Sequence, residues 1–113
     1  MQKTKEVIFY LDRNNKNHVA DWLNKLDNKA KARISIRLER LEYGAYGDRK
    51  SLAKGLYELR FFFDNGYRVY FAEDNDNIIR LLCAGSKDSQ RKDVKLAVSL
   101  LKELKSEEEN GKA

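Results

Sequence analysis

The segment from Leu56 to Cys83 constrains the fold more than any other part of the chain, because its side chains alternate with a period of two. Apolar residues recur at every second position, which is typical of strands with one buried face. Three such strands are predicted, at 56–63, 67–73 and 78–83. Asp64-Asn65-Gly66 and the polar turn 74–77 join them, and connections this short link antiparallel neighbours.

Helical periodicity flanks these strands on both sides. Apolar residues at three- and four-residue spacing predict three helices, with the stripes Val19, Trp22, Leu23, Leu26, then Ala30, Ile34, Leu38, Leu41, and finally Val94, Ala97, Val98, Leu101, Leu104. Asp27 or Asn28 suits the start of the second helix and Gly44 its end, while Ser86 or Ser89 suits the start of the third.

A β-prone run from Val7 to Tyr10 adds a first strand, so the predicted order is β-α-α-β-β-β-α. We expect an α+β fold in which an N-terminal helical hairpin packs on a small antiparallel sheet and a C-terminal helix follows. One domain should span 1–104. The apolar pattern is lost over 105–113, which predicts a flexible charged tail.

Composition narrows the classes of function. No apolar run approaches the roughly 20 residues of a membrane span, so we expect no membrane partner. The single cysteine, Cys83, favours a reducing compartment and therefore the cytoplasm. One cysteine and one histidine cannot build a zinc site, so neither a metal nor another cofactor is expected. The net charge of +5 indicates either an anionic partner, which could be nucleic acid, an anionic membrane or an acidic protein, or simply charged residues that keep a small protein soluble.

Two arginines stand out in the alternating strands. Arg60 and Arg68 fall on the faces opposite the apolar sets, and a hairpin can bring them together. Two guanidinium groups on a rigid sheet suit a phosphate, and Tyr70 on the same face could stack a base. Equally, Arg60 could pair with Glu58 or Glu73, in which case both arginines would only solvate an exposed sheet.

Further basic and polar residues lie beside this sheet. Lys50 and Lys54 belong to a predicted loop before it, and basic loop residues serve either function or plain solubility. Lys87, Gln90 and Arg91 belong to the junction of the last strand and the last helix, where backbone N–H groups favour an anion. A simply capped helix explains the same junction equally well.

Three pieces of this sequence together resemble the RelE/ParE toxin superfamily. They are Gly55-Leu56-Tyr57-Glu58-Leu59-Arg60, then Gly66-Tyr67-Arg68-Val69-Tyr70-Phe71, and the strand end from Leu81 to Gly85 with Lys87 and Gln90. The resemblance runs from Val7 to Leu104 and is strongest to the HigB-like, phage-associated addiction module killer proteins. It departs at Ala84, where a second glycine is common, and in having no histidine after His18.

The resemblance implies a type II toxin that cuts mRNA on the ribosome without a metal. It also implies an antitoxin partner, usually a helix-turn-helix protein. On this basis Arg60, Arg68, Lys54 and Lys87 are candidate catalytic residues. Candidate RNA-binding residues are Lys50, Tyr70, Gln90 and Arg91.

Two questions remain open at the level of sequence. Without a nearby histidine the general base would be a lysine, Lys54 or Lys87, since neighbouring positive charge lowers the pKa of a lysine from its free value of about 10.4. The superfamily fold also serves ParE-like inhibitors of DNA gyrase, and a degenerate chain could bind an antitoxin without catalysis.

Overall fold

The computed structural model describes residues 2–111, which form a five-stranded sheet with helices on both faces. The strands are β1 (Glu6–Phe9), β2 (Arg49–Ala53), β3 (Leu56–Arg60), β4 (Arg68–Glu73) and β5 (Ile78–Gly85). The helices are α1 (His18–Leu23), α2 (Asn28–Arg40) and α3 (Gln90–Gly111), with short 3-10 turns at Leu41–Tyr43 and Lys87–Ser89. The predicted α+β class is confirmed.

The strand order in the sheet is β1-β5-β4-β3-β2. The pairs β3–β4 and β4–β5 are antiparallel, as the short turns predicted, and β2 is an additional antiparallel neighbour of β3. In contrast, β1 runs parallel to β5, where the sequence predicted an antiparallel sheet. The sheet is therefore mixed. A parallel pair needs a crossover connection, and α1, α2, β2, β3 and β4 all lie between β1 and β5 in the chain.

The prediction of a loop over Arg49, Lys50 and Lys54 is wrong for its first part. Arg49–Ala53 forms the edge strand β2, paired with β3. Four of its five residues are exposed, and Leu52 alone is partly buried. An edge strand that is exposed to solvent on both faces has no alternation of apolar residues. The pattern that predicted the other strands is therefore absent here.

Both faces of the sheet are buried, each against different helices. One face carries Leu59, Val69, Phe71 and Leu81 against the predicted helical hairpin, whose Val19, Ala30, Ile34 and Leu38 complete that core. The other face carries Leu56, Tyr70, Leu82 and Cys83 against Ala97, Leu100 and Leu101 of α3. The alternation thus assigned the faces correctly, and α3 covers part of the face that bears the arginines.

The helix boundaries follow the predicted caps. The side chain of Asp27 accepts a hydrogen bond from the Ala30 N–H at 2.9 Å and starts α2. After the 3-10 turn, Gly44 adopts a left-handed backbone with φ of 73° and ends the helical segment. Both Ser86 and Ser89 take part in starting the last helix, since the Ser86 N–H donates to Ser89 Oγ at 3.3 Å.

The connection between β3 and β4 is longer than the predicted tight hairpin. The strands end at Arg60 and Arg68, and the seven residues 61–67 join them. The Phe61 N–H still donates to the Tyr67 carbonyl at 2.9 Å, which closes the base of this loop. The loop therefore stands out from the sheet beside the two arginines.

The last helix continues beyond Leu104 to Gly111, where the sequence predicted a tail. Acidic side chains of that segment reach back to the body of the protein. Glu107 accepts a hydrogen bond from the Tyr10 hydroxyl at 3.2 Å, and Glu108 lies 3.5 Å from Arg80. The flexibility of this segment stays a prediction, and 112–113 lie outside the described residues. Among residues 2–111, no helix combines the length and apolar character that a membrane crossing requires.

Candidate functional site: an arginine cleft at the end of β3 and β4

The register of β3 and β4 places two arginines directly opposite each other. Arg60 ends β3 and pairs with Arg68, which begins β4. A cleft of about 320 Å³ opens beside them, and we call it the arginine cleft. Its lining consists of Arg60, Phe61, Phe62, Asp64, Gly66, Arg68 and Lys87. Both guanidinium groups therefore border one space, as the sequence predicted.

Arg60 is held by a partner that the sequence did not indicate. Its Nε and Nη2 atoms each lie 3.0 Å from an oxygen of Asp48, in a bidentate pair. Hydrogen bonding to Asp48 raises the pKa of Arg60, so its charge is secure. The predicted alternatives, Glu58 and Glu73, do not fill this role, and Glu73 is engaged by Lys5 at 2.6 Å. The pair fixes the plane of the guanidinium and leaves Nη1 outside it.

Arg68 forms an ion pair with a buried carboxylate. Glu58 is fully buried, and its Oε1 lies 3.6 Å from Arg68 Nε. Gln90 donates to the other oxygen, Oε2, at 2.9 Å. Arg68 Nη1 also donates to the Gly66 carbonyl at 3.0 Å. Only 16% of the Arg68 side chain is exposed, so the guanidinium is oriented by the protein rather than by solvent.

Three buried polar atoms lie here without a hydrogen-bond partner among residues 2–111. They are Glu58 Oε1, Arg68 Nε and the Tyr70 hydroxyl. Buried polar groups are normally paired, and an unpaired one costs free energy of folding. The base of the arginine cleft therefore carries a polar cluster whose hydrogen bonding is incomplete.

The expectation that Tyr70 stacks a base is wrong. The residue lies in the core between the sheet and α3 and is 0% exposed. Burial, together with the nearby charge of Glu58, raises the pKa of its hydroxyl. Alternation placed Tyr70 on the correct face, but α3 covers that face at this position, so no base can reach the ring.

The junction before α3 brings one predicted lysine to the arginine cleft. Lys87 is exposed in the 3-10 turn, and its N–H donates to the Asn65 carbonyl of the β3–β4 loop at 3.3 Å. Gly66 of that loop has φ of 63°, and a Cβ there would lie 3.6 Å from Lys87 Cδ. The left-handed backbone, rather than a lack of space, favours glycine here, since a Cβ at that distance would make only an ordinary contact. Arg91 is exposed but does not line the arginine cleft.

The two lysines near β2 occupy different places. Lys50 pairs in register with Glu58, so it lies on the face of the sheet that carries both arginines. Lys54 lies in the β2–β3 turn, and the adjacent Gly55 approaches Asp74. This turn is at the opposite end of β3 from Arg60, a separation of about 13 Å along the strand. The structure does not bring Lys54 to the arginine cleft.

Sequence reasoning missed three residues that shape the site: Asp48, Glu58 as a partner of Arg68, and Phe62. The same alternation could have found Glu58, because it occupies a diagonal position to Arg68 on one face. Phe62 is out of phase with the buried aromatic set and is 79% exposed. Asp48 precedes the unrecognised strand β2, so no pattern pointed to it.

Comparison with known proteins assigns the family. The family described as "Phage derived protein Gp49-like (DUF891)" matches residues 21–110, which is most of the chain. The chain belongs to the Gp49-like family. This family lies within the RelE/HigB-like group of addiction-module toxins, and its members are associated with toxin–antitoxin pairs. The HigB-like branch in particular stays a prediction.

A protein of similar sequence was also found. A protein of Haemophilus influenzae (strain ATCC 51907 / DSM 11121 / KW20 / Rd), named "Uncharacterized protein", is 48% identical over 84 residues. The match covers 74% of this chain and 85% of the relative. Its name states no activity, so this relative gives no information about function. For a Gp49-like chain, membership implies a toxin with an antitoxin partner.

Proposed function

We propose that this Gp49-like protein is the toxin of a type II toxin–antitoxin pair and cleaves messenger RNA on the ribosome. The observation that carries the proposal is the direct pairing of Arg60 with Arg68 at one cleft that Lys87 also lines. Three cationic groups around one space suit a phosphodiester whose charge grows during reaction. Membership of the Gp49-like family supports the proposal that the protein is a toxin, and the arginine cleft supports the proposal that RNA is its substrate.

The proposed reaction is a transesterification within the RNA. The 2′-oxygen of one nucleotide attacks its own 3′-phosphorus, so a new O–P bond forms while the bond to the 5′-oxygen breaks. The products are a 2′,3′-cyclic phosphate and a free 5′-hydroxyl. One proton leaves the 2′-hydroxyl and one is delivered to the departing 5′-oxygen, so the reaction needs no further reactant.

The residues divide these tasks by position. Arg60 and Arg68 stabilise the non-bridging oxygens, and their partners Asp48 and Glu58 keep them aimed before the substrate arrives. Lys87 is the candidate base that takes the proton of the 2′-hydroxyl, because it lines the arginine cleft, and the proton delivered to the 5′-oxygen comes from solvent. Lys50 and Arg91 would act as outer phosphate contacts, whereas Gln90 acts through Glu58.

Expression in bacteria tests the proposal. Arg68→Ala alone leaves Glu58 buried without its cation, so the informative variant is the double substitution Glu58→Gln, Arg68→Ala. We expect the wild-type chain to arrest growth and the folded double variant not to. Arg13→Ala, at a side chain that is 71% exposed and does not line the cleft, is the matched control and should stay toxic.

Ribosome profiling after induction separates this proposal from the other superfamily activities. Accumulation of cut mRNA supports the nuclease. DNA breaks without cut mRNA would instead indicate a gyrase inhibitor, and no growth arrest would indicate a module that only binds its antitoxin. The proposed partner is a helix-turn-helix antitoxin, and mRNA on the ribosome as substrate places the activity in the cytoplasm.

A further inference from the structure

Beside the arginine cleft lies a second shallow cavity of about 310 Å³, which we call the Phe62 surface. It is lined by Phe61, Phe62 and Phe63 of the β3–β4 loop and by Arg33, Ile36, Arg37 and Arg40 of α2. Phe61 and Phe62 line both cavities. The two spaces therefore adjoin at these two residues.

The aromatic ring at the centre of this surface is largely in solvent. Phe62 is 79% exposed and Ile36 is 49% exposed. The Arg60 guanidinium lies over one face of the Phe62 ring, 5.7 Å from its centre, so the ring stands next to a proposed phosphate-binding group. Because the ring is so exposed, its other face is open to a ligand.

Of the three arginines that line this surface, one has a structural role and two are available to a ligand. Arg37 is structural, because it donates to the carbonyls of Tyr46 and Arg60 and thereby ties α2 to the end of β3 and to the segment before β2. Arg33 lies over the Phe63 ring, 3.9 Å from its centre, which keeps it beside the cavity. Arg40 is exposed at the end of α2. None of the described residues that line this surface is acidic.

We infer that the Phe62 surface binds single-stranded RNA, with a base stacked on Phe62 and the flanking phosphates on Arg33 and Arg40. Aromatic rings in a basic groove are the usual platform for single strands, since every base offers a π-face. The inference rests on the proposed function and extends it. The strand that is cut between Arg60 and Arg68 would continue over Phe62 onto α2.

An acidic protein segment is the competing occupant, and two features favour RNA. The exposed apolar part consists of a single ring and one aliphatic side chain among arginines, whereas protein interfaces have a contiguous apolar centre. The surface also adjoins a cleft whose chemistry suits phosphate. Charge complementarity and this adjacency together favour a nucleic acid strand as the occupant.

Binding of a fluorescein-labelled single strand tests the inference. The probe is a 2′-O-methyl RNA of about 12 nucleotides, a length within the range that single-strand grooves hold. It cannot be cut by its own 2′-oxygen, so binding is measured separately from cleavage. Fluorescence anisotropy at about 50 mM salt, where phosphate contacts are strong, gives the Kd for each variant of the full chain.

We expect Phe62→Ala to weaken binding by about 10-fold, within the range that one stacked base contributes. Phe62→Trp, which keeps and enlarges the π-face, should bind at least as tightly as wild type. Phe9→Ala removes an aromatic ring that is 44% exposed on β1 and should leave the Kd unchanged. Arg40→Gln should lower the slope of log Kd against log salt by about one phosphate contact, while Arg13→Gln should not.

A Kd of Phe62→Ala within about twofold of the wild-type Kd would overturn the inference. It would also be overturned if Phe62→Trp bound as weakly as Phe62→Ala. Loss of antitoxin binding in Phe62→Ala with RNA binding intact would also overturn it in favour of a protein partner. Cleavage of mRNA on ribosomes, measured in parallel on the wild-type chain, separates the two proposals. If the wild-type chain cleaves mRNA but binding does not depend on Phe62, only the proposed role of the Phe62 surface is refuted. If binding depends on Phe62 but no cleavage occurs, the role of the surface is supported and the proposed nuclease activity is refuted.

Discussion

Glu58 Oε1 lies 3.6 Å from Arg68 Nε, on the diagonal between β3 and β4 and beneath the arginine cleft. The carboxylate is fully buried, and Gln90 binds its second oxygen. A buried ion pair contributes little net stability. Removing only one partner is nevertheless strongly destabilising, because the remaining charge is buried and neither paired nor hydrated. The pair therefore serves to orient Arg68, and the fold depends on keeping both members or neither.

Removing Glu58 alone should destabilise the protein strongly. For Glu58→Ala we expect a loss of about 3–5 kcal/mol in the free energy of unfolding, measured by urea denaturation, because Arg68 is left buried without a counter-ion. Asp76→Ala, which removes an exposed partner of Arg80, is the control and should cost less than about 1 kcal/mol. The double variant Glu58→Gln, Arg68→Ala should be more stable than Arg68→Ala alone. Equal stability of Glu58→Ala and wild type would contradict the coupling.

Removing Asp48 should affect activity far more than stability. Both Asp48 and Arg60 are about one-third exposed, so Asp48→Ala should change the free energy of unfolding by less than about 1 kcal/mol. The Arg60 guanidinium then loses its fixed plane, and we expect the rate of mRNA cleavage to fall about 10-fold. Single-turnover kinetics on ribosomes, with Asp76→Ala as control, measures this. An unchanged rate would show that the orientation of Arg60 is unimportant.

The Tyr70 hydroxyl should be dispensable. It is buried beside Glu58 without a well-formed hydrogen bond, so Tyr70→Phe should change the free energy of unfolding by no more than about 1 kcal/mol in either direction. Growth arrest should persist, because the ring lies in the core and cannot contact RNA. A folded Tyr70→Phe variant that is no longer toxic would show that this hydroxyl takes part in the reaction.

The fold should lose stability at alkaline pH partly through Cys83. Its thiol is 1% exposed, and burial raises its pKa to about 12. The unfolded thiol ionises near pH 8.5, so the stabilising effect is complete below about 8.5 and decreases as the pH rises towards 12, by up to about 1.4 kcal/mol per pH unit.

Comparison with Cys83→Ala isolates this contribution. Between about pH 8.5 and 10 the variant should lose stability less steeply than wild type in urea titrations. Native protein should also resist iodoacetamide at pH 9, whereas protein in urea should be alkylated rapidly, since the thiolate is the nucleophile. Rapid alkylation of the native chain would contradict the burial of Cys83.

The sequence predicted those parts of the fold in which one face of an element is buried. The alternation of Leu59, Val69 and Phe71, and the helical stripes that cover them, predicted the three central strands and the two faces of the sheet. It could not reveal β2, whose residues are mostly exposed, nor the length of α3, which is set by side chains such as Glu107 that contact distant residues.

The same reasoning found the centre of the site but not its supports. Arg60 and Arg68 followed from register, which is fixed once the faces are known. Asp48 supports Arg60 through a contact that depends on the unrecognised strand. Tyr70 was misread because exposure on the second face depends on where α3 lies, and that position is set by packing rather than by local pattern.

Single-turnover cleavage of an end-labelled mRNA on initiated ribosomes tests the central claim most directly, with Lys87→Ala and Lys54→Ala as matched variants. The wild-type chain should leave fragments with a 2′,3′-cyclic phosphate upstream and a 5′-hydroxyl downstream. Lys87→Ala should slow cleavage by about 100-fold or more, the effect of losing a positioned proton-transfer group, while Lys54→Ala, away from the arginine cleft, should cut within about threefold of wild type. Intact mRNA with the wild-type chain, or a larger defect in Lys54→Ala than in Lys87→Ala, would contradict it.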